Sequence, residues 1–170
     1  MNIFFSSDHH FDHDRIINYC NRPFRYVEEM NERLIHNWNV RVKPDDEVYY
    51  LGDFGLRGPE QLLPFRRRMN GNWKIFVAGN HDRKTVLSDG ELADKIIKFS
   101  PTTFHLLKLD NINFSLSHCP LNIIPGTTIN LFGHTHQPNA LQSSNSINIG
   151  VDAWNMFPVE LSEIKNLIKP

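Results

Sequence analysis

Cysteine is scarce in this 170-residue chain, which has only Cys20 and Cys119. Two thiols build no disulfide framework of the secreted kind, so both read as free thiols in a reducing compartment. Neither sign of charge is in excess. The chain carries 18 Lys and Arg against 19 Asp and Glu, a formal net charge of −1. No global field therefore favours nucleic acid or an anionic membrane, and no extended basic stretch signals independent nucleic-acid binding. Long apolar runs are missing too, since none approaches the ~18 residues of a membrane span. The start, Met1-Asn2-Ile3-Phe4-Phe5, lacks a basic region and reads as a first strand rather than a signal peptide. There is no internal repeat, linker or low-complexity tract. With 40% hydrophobic and 22% charged residues, the expectation is one soluble, cytoplasmic domain over residues 1–170.

What the chain does have is a recurring way of ending a strand. Ile75-Phe76-Val77-Ala78 stops at Gly79 and presents Asn80, His81 and Asp82. Gly79 offers a sharp turn, with φ > 0 open to it at no steric cost. Alone, this is a turn in which Asn80 and Asp82 hydrogen-bond their own backbone. Four other runs end in the same manner. Asn2–Phe5 leads to Asp8, His9 and His10, and Val48–Leu51 leads to Gly52-Asp53. Phe114–Ser117 leads to His118, and Ile129–Phe132 leads to Gly133-His134-Thr135-His136. Five strands thus deliver carboxylates, an amide and imidazoles to one sheet edge, where open α/β sheets bind ligands. A nitrogen and oxygen donor set without thiolate suits a transition metal. In an extended segment i and i+2 share a side, so Asp8 and His10 can grip one ion while His9 packs away from it.

Taken in order, Asp8-x-His10, Gly52-Asp53, Gly79-Asn80-His81-Asp82, His118 and Gly133-His134-x-His136 resemble the calcineurin-like metallophosphoesterase family. The blocks span positions 8 to 136, and the chain is similar to the short bacterial and phage-type members without a cap. The resemblance implies a four-layer αββα sandwich of two mixed β-sheets flanked by helices. It also implies two divalent transition-metal ions, with Mn favoured over Fe, Zn, Ni or Co. Asp8, His10 and His136 would bind the first ion, and Asn80, His118 and His134 the second. Asp53 would bridge both, as a two-oxygen carboxylate can and an imidazole cannot. The resemblance makes His81 the group that serves the leaving oxygen, with Asp82 orienting it. The expected activity is hydrolysis of a phosphodiester, nucleotide or cyclic-nucleotide in type. The rival readings are a phosphomonoesterase or protein phosphatase, a catalytically silent metal-binding interaction module, and a nuclease component working with a partner.

Arg83 and His13 are candidate substrate contacts, since a guanidinium forks onto two phosphate oxygens. Arg22 and Arg57 read as surface ion pairs, Arg66–Arg68 as a solvated helix end, and His36 and His105 as structural. Val27, Met30, Leu34 and Trp38 recur at helical spacing, predicting an amphipathic helix over Val27–Val42. Shorter helices are expected after Asp14, from Gly58-Pro59, in part of 84–97 and over Leu161–Ile168, with Pro64 kinking or shortening the second. Phe104–Leu109 and Ile112–Ser117 predict a hairpin at Asp110-Asn111, opening a β-meander in the second half.

Overall fold

A computed structural model of the chain describes residues 1–82, 95–121 and 129–168. The first sheet has the order β10-β1-β2-β3-β4, built from β1 (Ile3–Ser6), β2 (Glu47–Tyr50), β3 (Asn72–Val77), β4 (Ile96–Ile97) and β10 (Val159–Glu160). Strands β1 to β4 run parallel, and β10 is antiparallel at the edge. Their side chains alternate between two cores, as the period of a strand requires. Phe4, Val48 and Tyr50 join one buried cluster, while Phe5, Tyr49 and Leu51 join another. The β2–β3 register slips between Val48 and Tyr49, leaving Lys74 as an extra residue on β3. The extra residue lets Trp73 and Phe76, three apart, both face the first cluster.

Helices α1 (Asp14–Tyr19), α2 (Val27–Arg41) and α3 (Pro59–Arg67) cover that first cluster. Helix α2 buries Met30, Leu34 and Trp38 and leaves Glu28, Glu32 and Arg33 exposed, as its periodicity predicts. His36 lies exposed on its outer face. Pro64 lies within α3, which stops at Arg67. The arginines there are not uniformly solvated, because the Arg66 guanidinium lies 4.2 Å over the Trp73 ring. The last two residues of the 84–97 segment expected to be helical in part, Ile96 and Ile97, form β4, and residues 84–94 lie outside the described residues.

The second sheet has the order β5-β6-β7-β9-β8, from β5 (Phe104–Leu109), β6 (Ile112–Ser117), β7 (Ile129–Phe132), β8 (Leu141–Ser143) and β9 (Ser146–Asn148). The β5–β6 hairpin turns at Asp110 and Asn111, both at positive φ, as a two-residue primed turn demands. The meander expectation needs correction. Strands β6, β7 and β9 are parallel neighbours, with antiparallel partners only at the edges. The difference matters for function, because a meander would send alternate strand ends to opposite edges. The parallel strands β1, β2, β3, β6, β7 and β9 instead send their six carboxyl ends to one edge.

The two sheets meet through Phe5, Tyr49, Leu51 and Val77 on one side and Phe114, Leu116, Leu131 and Ile147 on the other. Helix α4 (Leu161–Leu167) closes this inter-sheet core with Leu161 and Ile164. The architecture is therefore two mixed β-sheets with flanking helices. Among the described residues, no helix is long and apolar enough to cross a membrane.

Gly79 acts differently from the sequence expectation. Only Gly52 and Gly71 among the described glycines adopt positive φ. Gly79 is required for close approach, since a Cβ there would collide with the Asp53 carboxylate and come within 2.5 Å of the Asp53 amide nitrogen. Gly79→Ala is expected to lower stability by about 1–3 kcal/mol through overpacking. A thermal melt beside the wild type measures this, and an unchanged midpoint would show that the two loops can separate freely.

Candidate metal centre

The residues beyond the six strand ends do not continue as extended chain. Asp8, His10, Asp53, His134 and His136 all adopt left-handed backbone, with φ between 51° and 70°. The i, i+2 argument from extended geometry thus fails for Asp8 and His10, yet the turns bring them together. The Asp8–Phe11 segment runs beside Gly52–Phe54, with Asp8 N–H donating to Gly52 O (2.9 Å) and Phe11 N–H to Phe54 O (2.8 Å).

Two groups of donor atoms result. Asp8, His10 and His136 place one ligand atom each within 4.8 Å of one another, and so do Asp53, His118 and His134. One oxygen of Asp53 lies between them, 3.5 Å from His10 Nε2 and 3.4 Å from His118 Nε2. Asn80 Oδ1 stands 3.0 Å from His118 Nε2, on the second group. Asp8 accepts from Ser7 Oγ (2.6 Å) and from the His134 amide.

The donors fit a divalent ion on an observation internal to the fold. His10 is 1% exposed, and neither ring nitrogen has a hydrogen-bond partner. A buried polar group without a partner is costly, and a cation on Nε2 would supply one. The outward nitrogens of two other imidazoles are already fixed. His118 Nδ1 meets Leu51 O at 2.8 Å, and His136 Nδ1 meets Asp152 Oδ2 at 2.7 Å. Such bonds set the tautomer and ring orientation of metal-ligating histidines.

Electrostatics agree. Burial opposes charge on His118, but its bond to Asp53 and the nearby Asp8 charge outweigh this and lift its pKa to about 9. Burial likewise opposes charge on His136, and Asp152 lifts it to about 10. Asp53 is buried, yet the bond from His118 and the surrounding imidazoles hold it at about 2. Burial drives His10 well below its usual value. Protons on His118 and His136 therefore balance the carboxylates when no metal does so. Metal uptake near pH 7 is expected to release about two protons and to tighten as pH rises. Calorimetric titration of stripped protein with Mn²⁺, in buffers of different ionisation enthalpy, counts them. In stripped protein these raised pKa values contribute stability that is complete below about pH 6.5 and lost as pH rises through 9 to 10. Heat released independently of the buffer would contradict this account.

The remaining candidates divide. His81 is 40% exposed in its side chain and belongs to neither ligand group. Its ring lies 5.3 Å from that of His10, and its amide donates to Asp53 Oδ1 (2.9 Å). Asp82 is not set to orient His81 as the sequence suggests. Its carboxylate accepts three backbone amides, from Asp53 (2.6 Å), Gly79 (2.8 Å) and Phe54 (2.9 Å). It ties the loop that carries His81 to the loop that carries Asp53, and burial raises its pKa to about 7 despite those donors. His13 sits on the rim with its ring 5.7 Å from His10. Arg83 lies outside the described residues. His9 packs in the core, its Nδ1 2.8 Å from Tyr50 Oη. His105 is half-buried on β5, and Arg57 is exposed.

Arg22 is the clearest correction. It is 4% exposed and no surface residue. Its guanidinium forks onto Asp152 and also reaches the carbonyl oxygens of Asp8 and His9. Asp152 is the residue sequence reasoning missed. Cys20 also lies within 4.8 Å of the His136 and Asp152 donor atoms. Both Asp152 oxygens are already engaged by Arg22 and His136, so this third cluster is better read as a support than as a cation site.

A family model described as the calcineurin-like phosphoesterase superfamily domain matches residues 1–151. An uncharacterized protein of Methanocaldococcus jannaschii is 36% identical over 178 residues, spanning 98% of this chain and 91% of the relative. The crystal structure of a protein of unknown function from Aquifex aeolicus superposes with a TM-score of 0.72 at 22% identity. That superposition covers 98% of this chain and 99% of the other, and it bears on the fold alone.

Proposed function

The chain belongs to the calcineurin-like phosphoesterase superfamily, and from that premise we propose that it is a phosphodiesterase of the cytoplasm acting on nucleotide-type or cyclic nucleotide-type esters. Residues 1–170 act as one domain. Asp8, His10 and His136 hold one divalent transition-metal ion, and Asn80, His118 and His134 hold another, with Asp53 shared. Mn is the favoured metal, and the donor types also suit Fe, Zn, Ni or Co. When bound, such a pair supplies positive charge to the phosphoryl oxygens and makes water a nucleophile near neutral pH.

The protein's own part is positioning and proton transfer. The single observation that carries this reading is the Asp53 oxygen, which lies about equally far from the imidazoles of the two groups. His81 belongs to neither ligand group and is half-exposed, and its Nε2, 4.0 Å from Asp53 Oδ2, would give a proton to the departing oxygen. Asp82 acts on His81 indirectly, by holding Gly79 against the Asp53 loop. His13 and Arg83 are assigned to substrate contact. The diester preference rests on charge. Arg22 is enclosed within the protein, leaving fewer cations for a doubly charged monoester.

The test is hydrolysis of bis-p-nitrophenyl phosphate beside p-nitrophenyl phosphate, using stripped protein refilled with Mn²⁺. Metal-dependent turnover of the diester in excess of the monoester is the expected result. Turnover of the monoester alone would move the substrate to phosphatase targets. No turnover of either ester by the metal-loaded protein would count against the enzyme reading.

A further inference from the structure

Arg22 and Asp152 lie 130 residues apart in sequence and meet below the first ligand group alone. We propose that they are positioning residues forming a buried clamp that sets the metal affinity of the Asp8, His10 and His136 group without supporting the second group in the same way. The inference rests on the two-ion reading above.

Every donor of the guanidinium has an acceptor. Nε donates to Asp152 Oδ1 (2.9 Å) and Nη2 to Asp152 Oδ2 (2.9 Å). Nη2 also donates to Asp8 O (2.6 Å), and Nη1 donates to His9 O (2.8 Å) and to Met30 Sδ (3.5 Å). A planar fork of five donors can hold two backbone carbonyls and both oxygens of a carboxylate at once, four acceptors against the three donors of an ammonium. One arm fixes the left-handed turn that aims Asp8 and His10. The other arm fixes Asp152, whose second oxygen pins His136 Nδ1 and leaves Nε2 as the donor to the ion. All three ligands of the group therefore lead back to one guanidinium.

The second group is built differently. His118 is held by a neutral backbone carbonyl, Leu51 O. His134 and Asn80 are exposed. No contact of Arg22 or Asp152 among those described reaches them. The two ion positions are thus unequal in construction, one buried on an ionic support and one open.

The experiment measures Mn²⁺ binding by equilibrium dialysis and the Mn²⁺ spectrum by electron paramagnetic resonance. The proteins are wild type, Asp152→Asn and the double variant Arg22→Met with Asp152→Leu. Replacing both members of a buried pair by apolar residues is usually tolerated, so the double variant keeps the test readable where a lone unpaired charge would unfold the protein. In both variants one Mn²⁺ is expected to bind about 10- to 100-fold more weakly. The other keeps its affinity, and the spectrum changes from a coupled pair to an isolated ion. Arg68→Ala, which removes an exposed pair with Glu32, should leave both ions unchanged. Wild-type affinity for both ions in the folded double variant would overturn the clamp, and so would equal weakening of both. If wild type binds one ion only, the two-ion reading falls. The clamp then stands if the double variant weakens that ion and falls if it does not.

Discussion

Asp53→Asn is expected to reduce diester hydrolysis by about a thousandfold, on the scale of several kcal/mol of charge stabilisation from a correctly placed metal pair. The substitution keeps the size of the side chain and removes its charge. Asn offers one acceptor oxygen where Asp offers two. In this fold the carboxylate also meets His10 and His118 at 3.5 and 3.4 Å and accepts the His81 amide. Asparagine can retain the amide bond but cannot serve both groups as an anion. Rate and metal content should therefore fall together, with dialysis showing at least one ion weakened. Retention of both ions with near-normal turnover would remove Asp53 from the centre of the site.

His81→Ala is expected to act in the opposite pattern, with full metal content and a loss of roughly 10²- to 10⁴-fold in rate. The magnitude should depend on what departs. A p-nitrophenolate leaves easily without a proton, whereas a ribose hydroxyl needs one. The loss should thus be small for bis-p-nitrophenyl phosphate and large for a dinucleotide. Kinetics of both substrates on the same preparations decide the matter. Equal losses on the two would make His81 a positioning residue, and loss of metal would make it a ligand. Its geometry favours the first pattern, because the ring stands at the open side of the site with Nε2 4.0 Å from Asp53 Oδ2, while the backbone amide bonds Asp53 Oδ1 at 2.9 Å.

Much of this arrangement was legible in the sequence, because parallel strands with apolar bodies and polar ends write their function at their carboxyl ends. That rule names Asp8, His10, Asp53, Asn80, His118, His134 and His136, and the structure gathers their donor atoms into two neighbouring groups. What the sequence did not reveal depends on contacts distant in the chain. The parallel pairing of β6, β7 and β9 is one such case, since short apolar runs look alike whichever way they pair. Arg22 is another. Nothing local separates a buried guanidinium from an exposed one, and its partner Asp152 lies far along the chain. A signal for Asp152 did exist, because Ile147–Val151 is a sixth apolar run followed directly by a carboxylate. The contacts of Asp82 are likewise distant in the chain. Neighbouring side chains point in different directions, so it serves the Asp53 loop rather than the ring beside it.

The left-handed backbone at Asp8, His10, Asp53, His134 and His136 bears on how such a site ages. An L residue in that region sits roughly 1 kcal/mol or more above glycine in conformational energy, with asparagine and aspartate least penalised. A lineage released from its chemistry would recover that energy most readily at the exposed His134, where glycine or asparagine would stabilise the chain without unpairing a buried group. Loss of the chemistry would thus favour persistence of the fold. Two carboxylates and three imidazoles at these positions hold conformational energy that a chain built for shape alone would not carry.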